Sequence, residues 1–127
     1  MKFTVEKTEK YVLFQLHEEK LTSITAPDLK TELVTLNAEG FTNIILNMSD
    51  VKYADSSGLS SILIGNRVCS NSGGLFVMSN VNDHVMKLLK ISQLDTILTI
   101  LPTVEESIDA VFLHEIESDL EDEESSE

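Results

Sequence analysis

The 127-residue chain is 42% hydrophobic, enough for one globular core, and its net charge of −13 argues against a nucleic acid partner or an anionic lipid surface. It starts with a charged, alternating segment ("MKFTVEKTEK") and has no apolar run of membrane-spanning length. We therefore expect a cytoplasmic protein with no membrane span.

The first part of the chain predicts a hairpin followed by a helix and a strand. Residues 3–6 and 10–16 favour two short strands joined by "KTE". In "TAPDLKTELVTLNAEG", Thr25 and Asp28 have the spacing of a capping box, and the leucines that follow share one helical face. The continuous apolar run at 43–48 is typical of a strand that is buried on both faces of a parallel sheet.

The second part repeats the alternation of helix and strand. It predicts a helix at 56–71, a strand at 75–79, a helix with an apolar stripe from Val81 to Leu89, a strand at 96–101, and a last helix after Pro102 with a capping box at Thr103 and Glu106. The order β-β-α-β-α-β-α-β-α predicts an α/β fold. We expect a single domain whose central sheet is mostly parallel, with an antiparallel N-terminal edge and helices packed on it.

The C-terminal segment differs in composition from the rest. Residues 115–127 hold eight acids and no base, whereas residues 1–114 hold 14 acids and nine bases. Like-charge repulsion and low apolar content predict that 115–127 is a disordered acidic tail, and that 1–114 is the folded domain. The tail is either a solubilising appendage, which we favour, or an arm that competes for a basic partner surface.

The stretch "YADSSGL", residues 53–59, lies between a predicted strand and a predicted helix. In parallel α/β sheets such loops, at the carboxyl ends of strands, are where binding sites gather. Asp55 and Ser56 are both suited to cap the helix, and Gly58 has no side chain to hinder close approach of a partner. From the residues alone, a simple capped helix start and a functional serine site remain equally open.

The segment "NIILNMSDVKYADSSGLSSIL" resembles the central part of STAS domains, the family of bacterial anti-sigma factor antagonists. That family has a strand, a short loop and then Asp-Ser-Ser/Thr-Gly-Leu at the start of a helix. The later "SGGLFVMSNVNDHVMKLLKISQLDTILTI" is similar as well, so the resemblance extends over about residues 3–113. One departure is the loop "EEKLTSITAP", where Glu19 and Thr22 stand near the usual glycine and aspartate.

The resemblance implies a role for each residue of the motif. Ser56 matches the serine that a partner kinase phosphorylates, and that kinase is also the anti-sigma factor. Asp55 would help to position the Ser56 hydroxyl, while Ser57 and Gly58 fill the second hydroxyl and the glycine positions. The unphosphorylated protein would bind the anti-sigma factor and so indirectly free a sigma factor for transcription. Phosphorylation of Ser56 would end that binding.

Three other functions are open to the same loop. The alternative within the family is a STAS scaffold subunit of a stress-signalling or lipid-transport complex, without control by phosphorylation. A hydrolase with Ser56 as nucleophile would need a Gly-x-Ser-x-Gly elbow, but Ala54 stands at the first glycine position. A receiver-like domain with Asp55 phosphorylated would need a lysine after the last parallel strand, which reads "TILPT". We therefore expect no enzyme.

The remaining reactive side chains predict no metal, cofactor or catalytic site. The single cysteine, Cys69, lies among apolar residues and is expected to be a buried free thiol. His17, His84 and His114 are far apart in the sequence and lack the spacing of metal ligands.

Overall fold

The computed structural model of the chain describes residues 1–125. Its strands are β1 (Phe3–Lys7), β2 (Val12–Leu16), β3 (Lys20–Leu21), β4 (Ile44–Asn47), β5 (Tyr53–Ala54), β6 (Phe76–Ser79) and β7 (Thr99–Leu101). Its α-helices are α1 (Ala26–Ala38), α2 (Ser56–Asn71), α3 (Asp83–Ile91) and α4 (Val104–Ser125). No helix in this part of the chain has the length and hydropathy needed to cross a membrane.

The main sheet has five strands in the order β1-β2-β4-β6-β7. Strand β1 pairs antiparallel with β2, and all the other neighbours in this sheet are parallel. The predicted fold class is therefore confirmed, including the antiparallel N-terminal edge. The carboxyl ends of the parallel strands lie together on one side of the molecule, and the loops there lead into the helices.

The two faces of the sheet are covered unequally. Helices α1, α2 and α3 pack on one face, around the larger core that includes Phe14, Leu46 and Phe76. Helix α4 covers the other face, where Val111 packs against Ile45 and Val77. Because successive strand residues point to opposite faces, the continuous apolar run of β4 supplies both cores.

The start of α1 differs from the predicted capping box. Thr25 has φ −98° and ψ −25°, which is already helical, and its side chain makes no cap hydrogen bond. Its hydroxyl instead donates to the Lys20 carbonyl (3.1 Å) and accepts from the Thr22 N–H (3.1 Å). The predicted cap of α4 is present, because the Thr103 hydroxyl accepts from the Glu106 N–H at 3.1 Å.

Two element boundaries also shift. Helix α3 begins at Asp83 rather than Val81, because the Asn82 side chain accepts the Val85 N–H at 2.8 Å and so caps the helix there. The predicted strand at 96–101 is shorter in the structure. A 3₁₀ turn occupies Leu94–Thr96 and follows Gln93, which has a left-handed φ of 62°, so the strand begins at Thr99.

Helix α4 continues beyond the predicted domain boundary at residue 114. Residues 115–125 were expected to be part of a disordered tail but are helical, and residues 126 and 127 lie outside the described residues. The helix is attached to the body at this point, because the Asn43 amide donates to the Glu115 carboxylate at 2.6 Å and His114 Nε2 lies 3.0 Å from the Gly73 carbonyl oxygen. Glu and Leu are also good helix formers, which favours its continuation.

The packing of α2 on α1 and β6 predicts that Gly65→Ala is destabilising. A Cβ at this position would lie 2.7 Å from the Phe76 ring and 2.8 Å from a Leu33 methyl group. Overpacking of this kind costs about 1–3 kcal/mol, which outweighs the gain of up to about 1 kcal/mol that alanine brings to a helix. Urea unfolding should show the loss. Ser60→Ala, at an exposed position of the same helix, should change the free energy of unfolding by less than about 0.5 kcal/mol.

The predicted buried free thiol is confirmed at Cys69, and it should be chemically inert in the folded protein. Burial raises the pKa of the Cys69 thiol to about 12, so very little thiolate forms near neutral pH. We expect a disulfide reagent at pH 8 to label the native protein very slowly and the guanidinium-unfolded protein at once. Equal labelling rates in the two states would contradict this environment.

Candidate functional site

A second, two-stranded sheet holds the Asp-Ser-Ser-Gly loop in place. Strands β3 and β5 pair in parallel, with Lys20 opposite Tyr53 and Leu21 opposite Ala54. The Asp55 N–H continues the ladder by donating to the Leu21 carbonyl at 3.1 Å. This sheet joins the segment after β2 to the segment before α2. Sequence reasoning missed it because two-residue strands show no periodic pattern.

Asp55 is the N-cap of α2, one of the two caps that the sequence had left open, and Ser56 is the first residue of the helix. Its backbone is extended, and its carboxylate Oδ1 accepts the Gly58 N–H at 3.0 Å. The other oxygen, Oδ2, accepts the N–H of Ser23 at 3.2 Å. The same carboxylate therefore caps the helix and ties the loop before α1 to the start of α2. The Ser23 contact could not be read from the sequence, because it depends on how two distant loops meet.

The two serines of the motif have different surroundings. Ser56 is the first residue of α2 and is exposed, so its hydroxyl lies at the positive end of the helix dipole and in solvent. Ser57 is half-buried and lines an open groove between α1 and α2, with Pro27, Lys30 and Ile64 among the other lining residues. Of the two hydroxyls, that of Ser56 is the more accessible to a modifying enzyme.

Gly58 serves the fold rather than the approach of a partner. It is buried, and a Cβ built on it would lie 2.2 Å from the Leu21 carbonyl oxygen and 2.9 Å from the Leu21 side chain. The sequence predicted close approach at this glycine, but the atoms that approach belong to β3 of the same chain. The interpretation of Gly58 as space for a partner is therefore corrected.

Apolar side chains border the exposed serine and were not singled out from the sequence. Ile24, in the loop that Asp55 holds through Ser23, is 85% exposed. Tyr53, three residues before Ser56, is also exposed and stacks on the His84 ring with 5.8 Å between the ring centroids. Exposed apolar and aromatic side chains beside a modifiable hydroxyl are what a protein partner would bury.

The histidines that the sequence singled out do not come together. His17 Nδ1 lies 3.0 Å from an Asp50 carboxylate oxygen, His84 stacks on Tyr53, and His114 is attached to the turn that contains Gly73. Over the described residues, no three His, Cys, Asp or Glu side chains are grouped as metal ligands. What the loop presents is an accessible hydroxyl on a firmly held helix start, an arrangement suited to modification and to docking.

Comparison with known proteins identifies the family of the chain. The family model of the STAS domain matches residues 2–107. A relative from Thermotoga maritima, described as a candidate anti-sigma factor antagonist, is 34% identical over 73 residues, which are 58% of this chain and 65% of the relative. The aligned segment thus spans less than two thirds of that relative. A homologue from Thermotoga neapolitana has the same identity and coverage.

Solved structures show the same fold over most of the chain. The crystal structure of the Thermotoga maritima protein is 28% identical, with a TM-score of 0.77, and the match covers 86% of this chain and 93% of that one. The phosphorylated form of the Bacillus cell fate determinant SpoIIAA is 26% identical, with a TM-score of 0.67, and the match covers 87% and 99% of the two chains. On the family match over residues 2–107, and with the sheet order and loop described above, this chain belongs to the STAS domain family.

Proposed function

We propose that the protein is a cytoplasmic anti-sigma factor antagonist that is switched by phosphorylation of Ser56. In this proposal the unphosphorylated form binds an anti-sigma factor that is also a serine kinase, and a sigma factor is released. Phosphorylation of Ser56 ends the binding. The protein acts as a regulatory binding module and not as an enzyme. The observation that carries the proposal is the exposed Ser56 hydroxyl at the first residue of α2, beside an Asp55 carboxylate whose two oxygens already accept backbone N–H groups.

The fold can accept a phosphate at this position. A phosphoserine carries about −1.5 to −2 charges near neutral pH, and the amino end of a helix stabilises negative charge. Ser56 is exposed, so the phosphate keeps its hydration and displaces no core side chain. Repulsion from the neighbouring Asp55 opposes the helix dipole, but both effects act at the surface and are screened by solvent and salt. Phosphorylation should therefore change the surface and leave the fold unchanged.

A partner that covers Ser56 would be affected much more strongly. A surface shaped for a neutral hydroxyl, with Ile24 and Tyr53 at its border, would have to desolvate the added phosphate without matching donors. An unsatisfied buried polar group costs about 1–3 kcal/mol, and more when it is charged. Phosphorylation therefore changes the structure only at the Ser56 surface, but it causes a large loss of binding free energy.

The comparisons support the proposal in two ways. Relatives from Thermotoga are described as candidate anti-sigma factor antagonists. SpoIIAA, which has the same fold, has been solved in a phosphorylated form. Neither comparison concerns Ser56 of this chain, so the phosphorylated residue and the kinase partner rest on the loop geometry and on the resemblance of the motif.

We predict that the Ser56→Asp variant has nearly the thermal stability of the wild type but binds the anti-sigma factor much more weakly. Its melting temperature should stay within about 5 °C of the wild-type value, because a charge at a helix N-terminus contributes only a few tenths of a kcal/mol to about 1 kcal/mol. Binding to a candidate anti-sigma factor, measured by calorimetry, should weaken at least about 30-fold, which corresponds to about 2 kcal/mol. Ser70→Asp, at an exposed position near the other end of the same helix, is the control for added charge in the binding measurement. An unfolded Ser56→Asp protein would contradict the idea of a surface switch.

We predict that Ser56 alone accepts the phosphate. Incubation with the candidate kinase and ATP, followed by mass spectrometry, should show one phosphate on the wild type and on Ser57→Ala, and none on Ser56→Ala. After this treatment the wild type should bind the anti-sigma factor at least about 30-fold more weakly than Ser56→Ala, for the desolvation reason given above. If phosphorylated wild type and Ser56→Ala bind equally well, the switch is refuted and a constitutive scaffold takes its place.

A further inference from the structure

Helix α4 carries a row of large apolar side chains that remain exposed. Phe112, Leu113, Ile116 and Leu120, called here the apolar stripe, are 44–57% exposed. Their spacing of three and four residues places them along one side of the helix. A contiguous exposed apolar patch of this kind usually marks an interaction site.

The C-terminal part of the stripe points away from the sheet, whereas the Phe112 ring also lies edge-on to Tyr11, with 6.4 Å between the ring centroids. Ser107 and Val111 are fully buried and mark the side of α4 that faces the body. At 3.6 residues per turn, Ile116 and Leu120 lie about 140–180° around the helix from these two residues. The rotation of α4 is fixed by the contacts from Asn43 to Glu115 and from His114 to Gly73, so the stripe cannot turn inward without breaking them.

The charged side chains that α4 itself carries between residues 104 and 121 are all acidic. Between residues 104 and 121 the helix has seven acids, and no Lys or Arg occurs anywhere from residue 91 to the end of the chain. Glu117 and Asp119 flank the stripe on opposite sides of the helix, by the same helical geometry. A second copy of this chain would bring two acidic helices together, and anionic lipid would be repelled as well.

We propose that the apolar stripe of α4 is a docking site for a basic amphipathic helix of a partner protein. The spacing from Leu113 to Ile116 to Leu120 is that of a, d and a positions in a heptad, so a partner helix can pack its own apolar face against them. Lys or Arg beside that face would lie close to Glu117 and Asp119. The acidic residues of α4 then favour a basic partner, and burial of the apolar side chains of the stripe contributes the binding free energy. This inference does not depend on the proposal for Ser56.

The interface should be weak and sensitive to salt. The stripe extends for about 12 Å along the helix, at 1.5 Å per residue, which is much less than a standard protein–protein interface. We therefore expect a Kd on the order of 10 µM at low ionic strength, and weaker binding as salt screens the flanking charges.

The test uses the full chain and a designed, fluorescently labelled 21-residue peptide with Leu at heptad a and d positions and Lys at e and g. Fluorescence anisotropy should show saturable binding. Ile116→Ser combined with Leu120→Ser should weaken binding at least about tenfold, since each side chain loses its apolar contact. Ser118→Ala, between them on another side of the helix, is the matched control and should bind like the wild type. Because Ile116 and Leu120 are more than half exposed, the double variant should keep its melting temperature.

Three outcomes would overturn the proposal. The first is that the designed peptide fails to bind. The second is that a scrambled peptide of the same composition binds as tightly, because charge attraction alone would then explain the result. The third is a concentration-dependent dimer, seen by sedimentation and abolished in the double variant, because a second copy would then be the occupant of the stripe.

Discussion

The candidate site depends on the two hydrogen bonds that the Asp55 carboxylate accepts. One oxygen caps α2 through the Gly58 N–H, and the other holds the Ser23 N–H of the loop before α1. Two segments more than thirty residues apart in sequence are thereby joined at one side chain. Hydrogen bonds to a charged acceptor are worth about 1.5–3 kcal/mol, more than those between neutral groups. The position of Ser56 and of the loop that carries Ile24 both follow from this residue.

The close packing beneath the loop limits what phosphorylation can change. Gly58 leaves no space between α2 and the Leu21 carbonyl, and Gly65 brings the same helix close to Phe76 and Leu33. A helix that is packed this closely cannot shift by an ångström without overlap. A charge added at Ser56 therefore changes the local surface that a partner contacts and does not move the helix.

The sequence predicted the main sheet and its helices because their burial follows a visible period. The apolar run of β4 and the leucines of α1 are examples, and all of them are buried in the structure. The small sheet of β3 and β5 was not predictable, because it is held by backbone groups whose pairing depends on the tertiary fold. The cap predicted at Thr25 is absent for a local reason, because its hydroxyl bonds to the backbone of Thr22 and Lys20 just before the helix.

The site was predicted only in part. The local chemistry of residues 53–59 left a capped helix start and a functional serine equally open, and the resemblance of the motif to a family favoured the serine. The sequence indicated that Gly58 needed space, but it could not show that Leu21 occupies it. The continuation of α4 was missed because charge repulsion argued for disorder. Its attachment through Asn43 and Glu115 joins residues 72 positions apart, which no local pattern reveals.

The two proposed surfaces lie at opposite ends of the strands, one near their carboxyl ends and the other near their amino ends. Ser56 follows β5 on the side where the parallel strands end. Helix α4 starts on that same side, after β7, but runs back, and its contacts at Asn43 and Gly73 are with residues that precede β4 and β6. Strands of four residues separate the two sides by about 13 Å. Ser56 also begins α2, which packs on the face of the sheet opposite to α4. A partner bound over Ser56 therefore faces away from the stripe, and a basic helix can bind the stripe whether or not Ser56 is phosphorylated.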